Sequence, residues 1–171
     1  MNVPNILTIV RFFLIPVYVY VFYSQDLHTA FAVVVVAGLT DILDGYIARK
    51  YNLVTKVGQM LDPLADKTMM ITVILTLTAE GIIPIAAAII IFGRDVLMIL
   101  SATFFHFNGK QNVQANGFGK VTTVLFYVAL LMLFFKLDHG VAFLYGVIVF
   151  SIVTTVVYAL EFRLLNGKFF K

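Results

Sequence analysis

Apolar residues run along the chain in stretches of about twenty, set apart by short polar breaks. The breaks read "SQDLH", "KYNLVTK", "AEGIIP", "FNGKQNVQANG" and "KLDHG", and each offers the Gly, Asn, Asp or Pro that ends a helix. Taken as boundaries, they predict helices at 5–23, 28–50, 60–79, 83–107, 117–136 and 141–163. A helix of about 20 apolar residues, rising 1.5 Å per residue, crosses the hydrocarbon of a bilayer. The pattern therefore predicts an all-α integral membrane protein with six transmembrane helices. Short connections predict that consecutive helices pack as antiparallel neighbours. No internal repeat, low-complexity tract or second domain is evident, so residues 1–171 read as one transmembrane domain.

Composition supports this reading and excludes others. The chain has 171 residues, of which 61% are hydrophobic and 12% charged, and its mean hydropathy is +1.00, too little polar sequence to wrap a soluble core. There is no cysteine, which excludes disulfides, thiolate catalysis and Cys-bound zinc or iron–sulfur sites. Any metal must be held by oxygen or imidazole ligands. The net charge of +3 reflects basic residues beside membrane spans, which set topology, and nucleic acid is not an expected partner. Arg49, Lys50, Lys56, Lys110, Lys120, Arg163, Lys168 and Lys171 fall at breaks after the second, fourth and sixth spans, and Lys136 alone lies at an opposite break. The positive-inside rule then places both termini in the cytoplasm of a multi-pass cell-membrane protein. Arg11 interrupts the first apolar run and no small-residue cleavage site follows, so that run reads as a retained span. Tyr18, Tyr20, Tyr23, Tyr46, Tyr51 and Tyr158 lie near predicted span ends, as an aromatic belt does.

Against this background the stretch "TDILDGYIARKYNLVTKVGQMLDPLADK", residues 40–67, gathers four aspartates. Asp41 and Asp44 share a helix face at the end of the second span, and Asp62 with Asp66 do so at the start of the third. Packed as neighbours, the two helices would bring all four carboxylates together on the cytoplasmic side. Their mutual repulsion calls for cations: Arg49 and Lys67 could neutralise part of the charge, while two divalent ions match four carboxylates without leaving an excess. Oxygen-only ligands point to Mg²⁺ or Mn²⁺. The structural alternative is that Asp62 before Pro63 is an N-cap followed by Pro at the first helical position. Gly45 and Gly58 leave backbone open to a ligand or a neighbouring helix. Arg49 suits a phosphate by its planar fork, and equally serves as a topology marker.

Written out, the stretch is Asp41-x2-Asp44-Gly45-x2-Ala48-Arg49-x8-Gly58-x3-Asp62-x3-Asp66. It resembles the signature of the CDP-alcohol phosphotransferase family, membrane enzymes of phospholipid synthesis, at eight fixed positions. The resemblance implies a bundle of six transmembrane helices, usually a homodimer, with a polar cavity open to the cytoplasm and two divalent cations, Mg²⁺ or Mn²⁺. It implies that Asp41, Asp44 and Asp62 are metal ligands and that Asp66 both touches metal and acts as the catalytic base. Gly45, Arg49 and Thr55 would contact the CDP part of the donor. In "NILTIVR", Asn5, Thr8 and Arg11 stand three residues apart on one side of a helix. That stripe resembles the family's edge of the nucleotide site, and equally fits an interfacial helix with its polar face in the headgroups.

The reaction implied is attack by an alcohol on CDP-diacylglycerol with release of CMP, in which charge neutralisation and positioning matter more than covalent chemistry. Arg94 lies within the fourth predicted span, where an unpaired guanidinium is expensive, so it is expected to face the cavity, and compensation by Asp95 alone is the structural alternative. Lys120 in "ANGFGKVTT" resembles family members that recognise a phosphorylated acceptor. Together Arg94 and Lys120 favour binding of an acceptor phosphate, and hence glycerol 3-phosphate. The run "GRDVLMIL" is more similar to cardiolipin-forming members, whose acceptor is phosphatidylglycerol. A small membrane ion or metal carrier is the alternative of another class, but it needs alternating access, and no paired broken helices or repeated halves are seen.

Overall fold

The computed structural model describes residues 3–24, 26–51, 53, 55–107 and 117–166, with side chains described at all of these except 3–5, 49, 56–57, 59–60, 98–107, 117–118, 120 and 158–166. Six helices follow one another: α1 (Val3–Tyr23), α2 (Leu27–Lys50), α3 (Lys56–Ala79), α4 (Ile85–Phe107), α5 (Gly117–Phe134) and α6 (Gly140–Asn166). No strand occurs among the described residues. Lys110, Lys168 and Lys171, used above for topology, lie outside the described residues, as does the Tyr158 side chain. Among the described residues, three stretches are long and apolar enough to cross a membrane: Ile6–Tyr23, Leu27–Ala48 and Gly140–Val157.

The predicted boundaries recur closely except at the start of α3. That helix begins at Lys56 because Thr55 caps it, its hydroxyl accepting from the Gly58 amide at 3.0 Å. Asp62 and Pro63 therefore lie inside the helix, and the N-cap reading of Asp62 is wrong. Pro63 has no N–H, so the carbonyl four residues earlier loses its helical partner, a local weakness at the level of the aspartates. At its other end α2 is capped by Asp26, whose carboxylate accepts from the Thr29 amide at 3.0 Å. That side-chain hydrogen bond holds the exposed Asp26 carboxyl below its usual value.

The chain forms two compact units, Met1–Gly81 and Ile82–Lys171. In the first, α1 packs on both α2 and α3, more extensively than α2 and α3 pack on each other. α2 and α3 do touch, as expected of consecutive helices, but the arrangement is centred on α1. The reason lies in three buried seams. On α1 the seam is Thr8, Arg11, Tyr18 and Phe22; on α2 it is Ala30, Val34, Ala37 and Asp44; on α3 it includes Ala65, Met69, Val73 and Thr76. Steps of three and four residues keep each seam on one face. Opposite faces, such as Ile6, Phe13, Val17 and Tyr20 on α1, are exposed and apolar, as lipid-facing surface is.

Tyr18 is fully buried and its hydroxyl lies 2.6 Å from Thr76 Oγ1, so it belongs to the α1–α3 seam and not to an aromatic belt. Thr76 directs its proton to the carbonyls of Thr72 and Val73, leaving Tyr18 as the donor across the seam. In the second unit α6 packs on α5 and α4. The turn after α5 closes with Leu137 N–H on Met132 O at 2.8 Å and Lys136 N–H on Leu133 O at 3.1 Å, with Lys136 at φ 50. This is a Schellman ending with a lysine at the left-handed position usually held by glycine.

Candidate active site

The carboxylates stand on the buried seams themselves. Four residues beyond Ala37, Asp41 continues the α2 stripe, and Asp44 follows three later; on α3, Asp62 lies between buried Gly58 and Ala65. Packing the apolar part of each seam therefore carries its aspartates towards α1. Asp44 is 2% exposed, whereas the Asp41 side chain is 42% exposed, so the group runs from a buried floor to an open edge.

What α1 offers them is Thr8 and Arg11, both on the seam and essentially inaccessible. Arg11 reaches Asp41 Oδ1 through Nη1 at 2.9 Å and Asp44 Oδ2 through Nη2 at 2.5 Å. Its Nη1 also lies 3.4 Å from the backbone carbonyl of Asp62. The Thr8 hydroxyl donates to the Asp62 carboxylate. One helix thus ties the α2 pair to α3. The alternative of an interfacial helix with its polar face among headgroups is excluded by this burial. Sequence reading placed Thr8 and Arg11 on a common face, but their partners were invisible without the packing.

Asp66 is partly buried one turn beyond Asp62. The charges of Asp62 and Asp41 both act on Asp44. The donors here are hard carboxylate oxygens, a set that fits Mg²⁺ or Mn²⁺. Among the described residues, no three carboxylates or imidazoles already surround one point as a closed coordination shell. Asp41 and Asp44 are instead centred on the Arg11 guanidinium.

Of the other expected site residues, Gly45 follows Asp44 on α2 and is partly buried. The Asn5, Arg49 and Lys120 side chains lie outside the described residues. Thr55 has its hydroxyl on the α3 cap. In the second unit, Arg94 directs Nη1 to Asp95 Oδ1 at 2.8 Å and Nε to Thr155 at 3.2 Å. The compensating pair inferred from the sequence is therefore formed, with Thr155 of α6 as an added partner.

Comparison with known proteins covers most of the chain. The family model described as CDP-alcohol phosphatidyltransferase matches residues 1–157. A CDP-diacylglycerol–glycerol-3-phosphate 3-phosphatidyltransferase of Rickettsia felis is 38% identical over 135 residues, 77% of this chain and 74% of that protein. One from Aquifex aeolicus is 34% identical over 134 residues, with the same shares. A cardiolipin synthase (CMP-forming) of Rattus norvegicus is 40% identical over 105 residues, 61% of this chain and 34% of that protein. The chain thus spans about a third of that longer relative and about three quarters of the bacterial ones.

Proposed function

We propose that this chain, which belongs to the CDP-alcohol phosphatidyltransferase family, transfers a phosphatidyl group from CDP-diacylglycerol to an alcohol and releases CMP. The observation that carries the reading is the gathering of Asp41, Asp44 and Asp62 around two buried polar residues of α1, within a sequence that keeps the family's spacing. A merely structural cluster has no use for carboxylates brought together inside a membrane protein, where each is expensive.

Asp41, Asp44, Asp62 and Asp66 are the residues that would hold two divalent cations, Mg²⁺ or Mn²⁺, which when bound neutralise charge at the diphosphate. Arg11 and Thr8 fix the directions of the carboxylates. Asp66 accepts the proton of the attacking hydroxyl. The acceptor oxygen bonds to the lipid-linked phosphorus, the bond from that phosphorus to the bridging oxygen breaks, and CMP departs with that oxygen. Gly45, Arg49 and Asn5 are assigned to the CDP part of the donor. Thr8 and Thr55 are assigned to the donor less directly, since one hydroxyl serves Asp62 and the other the α3 cap.

Glycerol 3-phosphate is the acceptor this reading favours, giving phosphatidylglycerophosphate. It rests on relatives of that activity that align over about three quarters of their own length. Arg94 and Lys120 are assigned to the acceptor's phosphate. The second reading is a phosphatidylglycerol acceptor, favoured by the 40% identity to a cardiolipin synthase and by the engagement of Arg94 with Asp95 and Thr155. The chain is further proposed to cross the membrane six times as one domain, with both termini and the aspartates on the cytoplasmic side, and to work as a homodimer among membrane lipids. Purified protein in detergent, given CDP-diacylglycerol and Mg²⁺ or Mn²⁺ with each acceptor in parallel, tests this. Turnover with glycerol 3-phosphate alone is expected, and turnover only with phosphatidylglycerol would replace the first reading by the second.

A further inference from the structure

Among the described residues Arg11 is the largest fully buried side chain, and it sits within a membrane-spanning stretch. A guanidinium cannot lose its proton to relieve such burial, so its charge has to be balanced in place. Asp41 and Asp44 do so, each by a short contact with a different terminal nitrogen. The balance is incomplete on both sides. Arg11 Nε is buried without a hydrogen-bond partner. Asp41 and Asp44, counted as ionised, exceed the Arg11 guanidinium that joins them by one charge.

A divalent cation such as Mg²⁺ taken up by the same carboxylates stands about 2.0–2.1 Å from their oxygens. Arg11 already occupies Asp41 Oδ1 and Asp44 Oδ2. The two positive charges would either share a carboxylate and repel, or one would have to withdraw. With two divalent ions in place, the four carboxylates carry no formal excess if Arg11 is absent and one positive charge if it stays. That surplus opposes cation binding to the free protein and suits a site that receives an anionic diphosphate.

We propose that Arg11 is the resident counter-ion of the aspartate set, a positioning residue that holds Asp41 and Asp44 together before any cation arrives and competes with the cation for them. This rests on the reading of the aspartates as divalent-cation ligands. Its consequence is a free protein that is assembled yet binds cation weakly. Other hydrogen bonds of α1, such as Tyr18 on Thr76, keep the helix docked when Arg11 is changed.

The test is Mn²⁺ titration of purified, donor-free protein in detergent, following the spectroscopic signal of free Mn²⁺, alongside thermal unfolding in chelator and in Mn²⁺. Arg11→Gln is expected to unfold at a lower temperature than wild type in chelator. It is also expected to bind Mn²⁺ at least about tenfold more tightly and to gain more thermal stability from the ion. If Arg11→Gln cannot be recovered folded, Arg11→Lys carries the test: its single ammonium spans one carboxylate rather than two, so a smaller tightening of a few-fold is expected. Unchanged or weaker Mn²⁺ binding in the recovered variant, with binding in wild type, overturns the counter-ion role alone. No Mn²⁺ binding in either protein overturns the cation reading of the aspartates, and this proposal with it.

Discussion

At the residue scale, polar side chains inside the first unit are placed by partners on other helices, and their energetics follow from that placement. Tyr18 donates across the α1–α3 seam to Thr76, and both side chains are buried. Interhelical hydrogen bonds in membranes are worth about 0.6 kcal/mol on average, so Tyr18→Phe should destabilise by about 0.5–1 kcal/mol. Unfolding in a denaturing detergent checks this, and an unchanged midpoint would mean that the contact contributes nothing. From the sequence, Tyr18 read as one of several belt tyrosines, because a tyrosine near a span end looks the same whether it faces lipid or a helix. The aspartates were legible for the opposite reason: charge is so scarce in this chain that four carboxylates at helical spacing stand out. Arg11 was visible as one member of a polar stripe, but its role depends on which two helices meet α1, and that is a property of packing.

At the element scale, the six helices follow from the apolar runs, while their ends depend on individual caps. The onset of α3, expected at 60 from the apolar run, lies at Lys56 because Thr55 provides the cap, about two turns before the Asp62-Pro63 pair whose order resembles a helix start. Thr55→Ala should cost about 1 kcal/mol of stability, and Thr55→Ser should restore it. If the Thr55 hydroxyl contacted the donor instead, Thr55→Ala would raise the KM for CDP-diacylglycerol with stability intact. Asp26 on α2 gives a pH-dependent counterpart. Its carboxyl titrates below its usual value when folded, so its contribution is present above the unfolded value of about 3.9 and disappears as pH falls through the depressed one. The stability difference between wild type and Asp26→Ala should accordingly be largest at neutral pH and shrink as the pH falls below the usual carboxylate range; a difference that does not change with pH would contradict the charged cap. The pairing of helices was the least legible feature at this scale. Loop length predicts that α2 and α3 are neighbours, and they touch, but it does not show that both pack more extensively on α1.

For the whole molecule, the proposed topology predicts that the aspartates and the α5–α6 turn are reached from opposite sides of the membrane. Because the chain contains no cysteine, single cysteines can be introduced without a background. In sealed cells, a cysteine at exposed Asp138 should react with an impermeant maleimide, and one at exposed Lys50 should react only after permeabilisation. The reverse pattern would invert the topology, and equal labelling would remove the six-span reading. The central claim is that the aspartates carry out phosphatidyl transfer, and the most direct measurement is CMP released from CDP-diacylglycerol by Asp66→Asn beside wild type. Both proteins would be purified in detergent and shown to be folded by their thermal transitions. Loss of a general base is expected to lower the rate by about 10²–10⁴-fold while the transition persists. Undiminished CMP release by folded Asp66→Asn would contradict the assignment of the base and the mechanism built on it.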